Sequence, residues 1–84
     1  MIILTQSQRS FLIEYVLKHR KELITAIEVG ISVHDKWHVD VNDDIINEVR
    51  DECLAMLQVI GFDRHYELTE QGHILEELID ILYK

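Results

Sequence analysis

The chain has 84 residues, 48% of them hydrophobic, with no proline, three glycines and a single cysteine. This is enough for one domain, residues 1–84, that buries roughly 60% of its unfolded surface. The composition is that of a folded, helix-rich globule and excludes a disordered tail. A formal charge of −8 repels nucleic acid and anionic membranes and favours a basic protein surface as partner.

Cys53 is the only cysteine, so no internal disulfide forms and a reducing, cytoplasmic setting is expected. The apolar run Met1 to Leu4 is too short for a signal peptide, and no stretch reaches membrane-spanning length.

Thr5 and Gln8 have the spacing of a capping box, which predicts a helix starting there. Leu12, Tyr15, Val16, His19, Leu23, Ala26 and Ile27 then recur at helical intervals. Periodicity allows one long helix over residues 6–29 or two divided near His19 and Arg20, with Gly30 as a left-handed cap residue. From Ile31 to Val41 the helical period lapses. Ile31 and Val33, then Val39 and Val41, alternate as in two short strands, or the segment is a loop beneath Trp37.

Asn42 is a good cap for a further helix whose first turn carries Asp43 and Asp44, favoured by the helix dipole. Its apolar stripe is Ile45, Ile46, Val49, Cys53, Met56, Leu57 and Ile60, with Gly61 ending it. A ribbon is expected over Phe62 to Leu68, with Tyr66 and Leu68 on one face. Thr69 then caps a last helix with Ile74, Leu75, Leu78, Ile81 and Leu82 inward and Glu70, Glu76, Glu77 and Asp80 outward.

Asn42 at a helix start, Leu57, Gly61 and Phe62 at its exit, Tyr66, and Leu68, Thr69 and Gly72 entering the final helix resemble the back half of a winged helix-turn-helix domain over residues 42–84. The expected fold is therefore mainly α, three to four helices with a short β-ribbon, winged-helix-like. The resemblance implies that residues 43–60 occupy the place of the DNA-reading helix. The charge there opposes that use: residues 37–84 hold twelve acidic and three basic side chains, a net of −9, and phosphate contacts need cations.

The expected function is a small acidic protein-interaction module, regulatory through binding another protein. Its candidate residues are Asp44, Glu48, Asp51 and Glu52, with Ile79 and Tyr83 on the last helix. The wide apolar arc of that helix, from Ile74 to Tyr83, also predicts a homodimer. Two competing readings are a DNA-binding regulator using Lys18, Arg20, Lys21 and Arg64, and an inhibitor whose carboxylates imitate nucleic acid.

No catalytic or cofactor site is expected, because glycine-rich phosphate loops, Cys-x-x-Cys and Gly-x-Ser-x-Gly elements are missing from the sequence. His34 and His38, with Asp35 and Asp40 beside them, are the one metal-like group, and histidines packed around Trp37 explain them better. His73 and Glu77 form an ordinary one-turn helix pair. Cys53 reads as a small buried hydrophobe.

Overall fold

A computed structural model describes residues 1–60 and 62–83. In chain order these form β1 (Ile2–Thr5), α1 (Gln6–Phe11), a π-type turn (Leu12–Val16), α2 (Lys21–Glu28), β2 (Gly30–Val33), β3 (Lys36–Val39), α3 (Asp43–Ile60) and α4 (Glu70–Leu82). The fold is mainly α with a small antiparallel sheet of strand order β1-β3-β2. No described helix is long and apolar enough to cross a membrane.

The apolar start of the chain, read from the sequence only as too short for a signal peptide, is strand β1 (Ile2–Thr5). Ile2 pairs with Val39 and Leu4 with Trp37, and Ile2, Leu4 and Val39 join the core. Two β-branched residues in alternating environments suit a half-buried strand.

Thr5 caps α1 as its spacing predicts: its Oγ1 accepts from Gln8 N–H at 3.0 Å, and Gln8 Oε1 accepts from Thr5 N–H at 2.9 Å. The 6–29 region is divided, with the break at Leu17–Arg20. Leu17 N–H donates to the Leu12 carbonyl five residues back, at 2.8 Å, and this wider turn shifts the helical phase. Val16 and Leu17 are buried as a result, whereas Tyr15 and His19, expected on the stripe, face solvent.

Gly30 is not a left-handed cap. It lies inside β2, no described glycine has positive φ, and its lack of a side chain makes room for Trp37 on β3. Trp37 Nε1–H donates to the Ile27 carbonyl at 2.8 Å. The Arg9 guanidinium lies 4.1 Å over the Trp37 ring, with its Nε buried and without a hydrogen-bond partner. This one side chain ties α1, the end of α2 and the sheet together.

Of the two alternatives for this segment the hairpin is present, with Val33 paired to Lys36, but its second strand is Lys36–Val39, which takes in Trp37 and His38 and leaves Val41 outside. Its two loop residues, His34 and Asp35, have φ of 52° and 65°, the left-handed pair that a type I′ turn requires. Asn-Gly meets that requirement with less strain. Changing His34→Asn with Asp35→Gly is expected to raise stability by about 0.5–1 kcal/mol. Urea denaturation would show a higher midpoint at unchanged slope, and an unchanged midpoint would contradict the assignment.

Asn42 Oδ1 accepts from Ile45 N–H at 2.9 Å, capping α3. Val49 and Cys53 of the expected stripe are fully buried, and the rest of it is half-buried. The expected ribbon over 62–68 contracts to one bridge between Phe62 and Leu68. Asp63 organises the intervening loop, its Oδ1 accepting from His65 N–H at 2.7 Å and Glu67 N–H at 3.1 Å. Tyr66 adopts a φ of 62° and projects into solvent, not onto a face with Leu68. Gly61, the expected helix terminator, lies outside the described residues.

Thr69 Oγ1 accepts from Gly72 N–H at 3.0 Å and donates to the Ile60 carbonyl at 2.8 Å. That link closes the α3–α4 corner. At the far end Arg50 Nη1 donates to the Leu82 carbonyl at 3.3 Å, so the two helices run antiparallel.

Candidate protein-binding site

The antiparallel pairing of α3 and α4 leaves a groove between them of about 250 Å³, lined by Leu54, Leu57, Glu76, Ile79 and Asp80. The floor is apolar. Glu76 and Asp80 are one helical turn apart, so their carboxylates stand on the same face. Asp51, exposed, lies one turn before Leu54 on α3. One turn before Leu54 on α3, the Arg50 guanidinium lies 4.2 Å over the Tyr83 ring and is bonded to Asn47 at 2.6 Å.

Ile79, expected as an outer contact residue, is only 8% exposed and belongs to the core. Helix α4 buries a wider arc than one stripe because both α3 and β1 pack against it. Ile79 thus forms the floor of the groove, not its rim. Tyr83 remains open to solvent as expected, 63% exposed.

The acidic residues of α3 divide between two surroundings. Asp51 is exposed with no ion-pair partner among the described residues, whereas Glu48 and Glu52 meet Arg20. Arg20 Nε lies 2.6 Å from Glu22, Nη1 lies 2.8 Å from Glu52 and Nη2 lies 3.4 Å from Glu48. The hydrogen bond from Arg20, then one from its own backbone N–H, holds the Glu22 carboxyl below its ordinary range. The bond to Glu22, and after it the interactions with Glu52, keep Arg20 still more firmly protonated. Such a partly exposed network adds little stability but fixes the α1–α2 connection against α3. Asp44, one turn before Glu48 on the same stripe, is exposed.

Of the candidate DNA contacts, Arg20 is therefore engaged within the chain. Lys18 and Lys21 are exposed beside it, and Arg64 sits on the loop between α3 and α4. His34 occupies the hairpin tip and His38 the central strand. Among the described residues, no group of three or more His, Cys, Asp or Glu side chains is placed to hold a metal ion.

A larger apolar groove of about 460 Å³ is lined by Phe11, Tyr15, Ile60, Glu70, Gln71 and Ile74. The π-type turn places Tyr15 there, its ring 5.3 Å from that of Phe11. Neither groove is evident from the stripes alone. The Glu76 and Asp80 spacing was the available signal for the first, and for the second there was none, since Tyr15 reads as core.

Cys53 is fully buried. Loss of hydration, then the nearby Glu52 charge, pushes its thiol pKa up to about 12. Because the thiolate is the reactive form, iodoacetamide at pH 8 is expected to label Cys53 only as fast as the chain opens, with full labelling in urea. Labelling of the folded protein at the rate of a free thiol would show that α3 leaves this position accessible.

Compared with known proteins, the chain matches no family model, no curated protein and no solved structure.

Proposed function

We propose that this chain is an acidic interaction module that seats a basic amphipathic segment of another protein on its α3–α4 face. The observation that supports the reading most is the groove floored by Leu54, Leu57 and Ile79 and bordered by Glu76 and Asp80. An apolar side chain of the partner would fill the floor, and lysine or arginine one turn away would reach the two carboxylates. The net −9 of residues 37–84 would speed encounter with such a partner and reject polyanions. The larger groove beside Tyr15 has a single carboxylate, Glu70, and offers less to a basic segment.

A second reading has one observation in its favour. The order β1, two helices, then the β2–β3 hairpin fits a winged-helix-like layout whose wing is residues 30–39. The helix preceding that wing is α2, not α3. Its exposed side chains include Lys21 but also Glu22 and Glu28, and Arg20 at its start is already bonded to carboxylates. Too few cations remain to hold phosphates.

Fluorescence anisotropy with a labelled Leu–Lys amphipathic peptide, its Leu–Glu counterpart and a DNA duplex separates the readings. The Leu–Lys peptide is expected to bind saturably. Glu76→Lys with Asp80→Lys should weaken it about tenfold, whereas the same charge change at Asp43 and Asp44 should have a much smaller effect. Equal losses from both pairs would reduce the attraction to net charge, and tight duplex binding would favour the second reading.

A further inference from the structure

The inner face of the sheet carries Ile2, Leu4 and Val39, all buried. The outer face is also apolar, with Ile3 48%, Ile31 66% and Val33 37% exposed, and Val29 71% exposed just before β2. Strand register sets Ile3, His38 and Ile31 in one row and Thr5, Lys36 and Val33 in the next. Continuing the alternation past Val39 puts Asp40 on this face beyond His38. The apolar side chains make one contiguous patch, and the charges set among them say what kind of cover would suit it.

The outward positions are Lys36 and His38 of the central strand and, by continued alternation, the exposed Asp40 just after it, positive at one end and negative at the other. The two charged positions are about 13 Å apart at strand spacing. A two-fold axis running across the strands at His38 reverses strand direction. It lays the Lys36 row of one copy over the Asp40 row of the other, twice, with Ile3 and Ile31 facing their own kind. Elsewhere a chain of charge −8 repels its copies, and this face, with one side chain of each sign, does not. We infer that the outer sheet face is the contact of a two-fold homodimer, with Lys36 of each copy opposite Asp40 of the other.

The patch measures about 14 by 16 Å from strand spacing and length. That is about a quarter of the roughly 800 Å² per partner of a stable complex, so a weak dimer that dissociates at about a hundred micromolar or above is expected. This face is separate from the α3–α4 groove, and either assignment stands or falls alone.

Sedimentation velocity from about 5 to 500 µM reaches into that range. Wild type is expected to dimerise with concentration, and Ile31→Glu to remain monomeric with its thermal transition retained. Lys36→Asp and Asp40→Lys should each weaken the dimer several-fold. Combined, they restore the charge pattern in reverse and should recover wild-type association. That recovery tests the pairing even where Ile31→Glu fails to fold, because groups so far apart within one copy are screened from each other. A wild type monomeric throughout would overturn the inference, as would a double variant no better than the singles. So would a dimer lost in Tyr83→Glu but kept in Ile31→Glu, which would move the contact to α4.

Discussion

Replacing Trp37 with alanine is expected to lower the unfolding free energy by about 3–5 kcal/mol, the usual cost of removing a packed tryptophan. The indole sits where three elements meet. Its N–H satisfies the Ile27 carbonyl at the end of α2 at 2.8 Å, and its face carries the Arg9 guanidinium at 4.1 Å. Loss of the ring leaves a cavity under the sheet and strips its partner from the half-buried Arg9, whose Nε is buried. Gly30 is tied to the same fit. A Cβ there would come within 2.6 Å of the His38 carbonyl and 2.9 Å of Trp37 Nε1, and a backbone atom cannot turn aside. Gly30→Ala is therefore expected to fail through the same region. Trp37→Phe should retain much of the stability but lose the hydrogen bond, about 1 kcal/mol. Urea denaturation that found Trp37→Ala within 1 kcal/mol of wild type would show that the sheet holds without this wedge.

Ile79→Glu is the second large effect, and its sign follows from burial. At 8% exposure the substitution removes a packed aliphatic side chain and brings a carboxylate close to Glu76 and Asp80 at the floor of the same groove. Lost transfer energy and charge burial together are expected to cost about 3 kcal/mol. Tyr83→Glu, at an exposed position, is expected to change stability little, since the new carboxylate would stand beside Arg50 in place of the ring. Equal stability of Ile79→Glu and wild type would mean that α4 presents this residue outward.

What the sequence revealed and what it hid divide by the range of the interaction. Thr5 with Gln8, Asn42 with Ile45, and Thr69 with Gly72 are bonds across three residues, so their spacing is visible in the chain itself. The hairpin was legible in part: the alternation allowed it beside a loop, but without Asn-Gly or Asp-Gly the turn at His34 and Asp35 and the strand Lys36–Val39 could not be placed. Strand β1 was not, since Ile2 pairs with Val39 and four residues are too few to establish a period. The π-type turn was equally hidden: one extra residue in the turn exchanges Tyr15 and His19 for Leu17 in the core, and no side chain announces it.

The candidate site shows the same division. Its negative charge and the Glu76 and Asp80 spacing can be read directly. The bonds of Arg20 to Glu48 and Glu52 cross 28 and 32 residues, and they turn two expected docking residues into an internal brace. Ile79 and Tyr83 looked alike as members of one arc. Only the packing of α3 and β1 on α4 separates floor from surface.

Seating of a basic amphipathic segment on the α3–α4 face can be followed by amide chemical-shift mapping during titration with the unlabelled Leu–Lys peptide. Saturable shifts are expected, centred on Leu54, Leu57, Glu76, Ile79 and Asp80 and fading toward Phe11 and Tyr15. Shifts centred on the Phe11 and Tyr15 groove, or spread over every acidic surface without saturation, would contradict it.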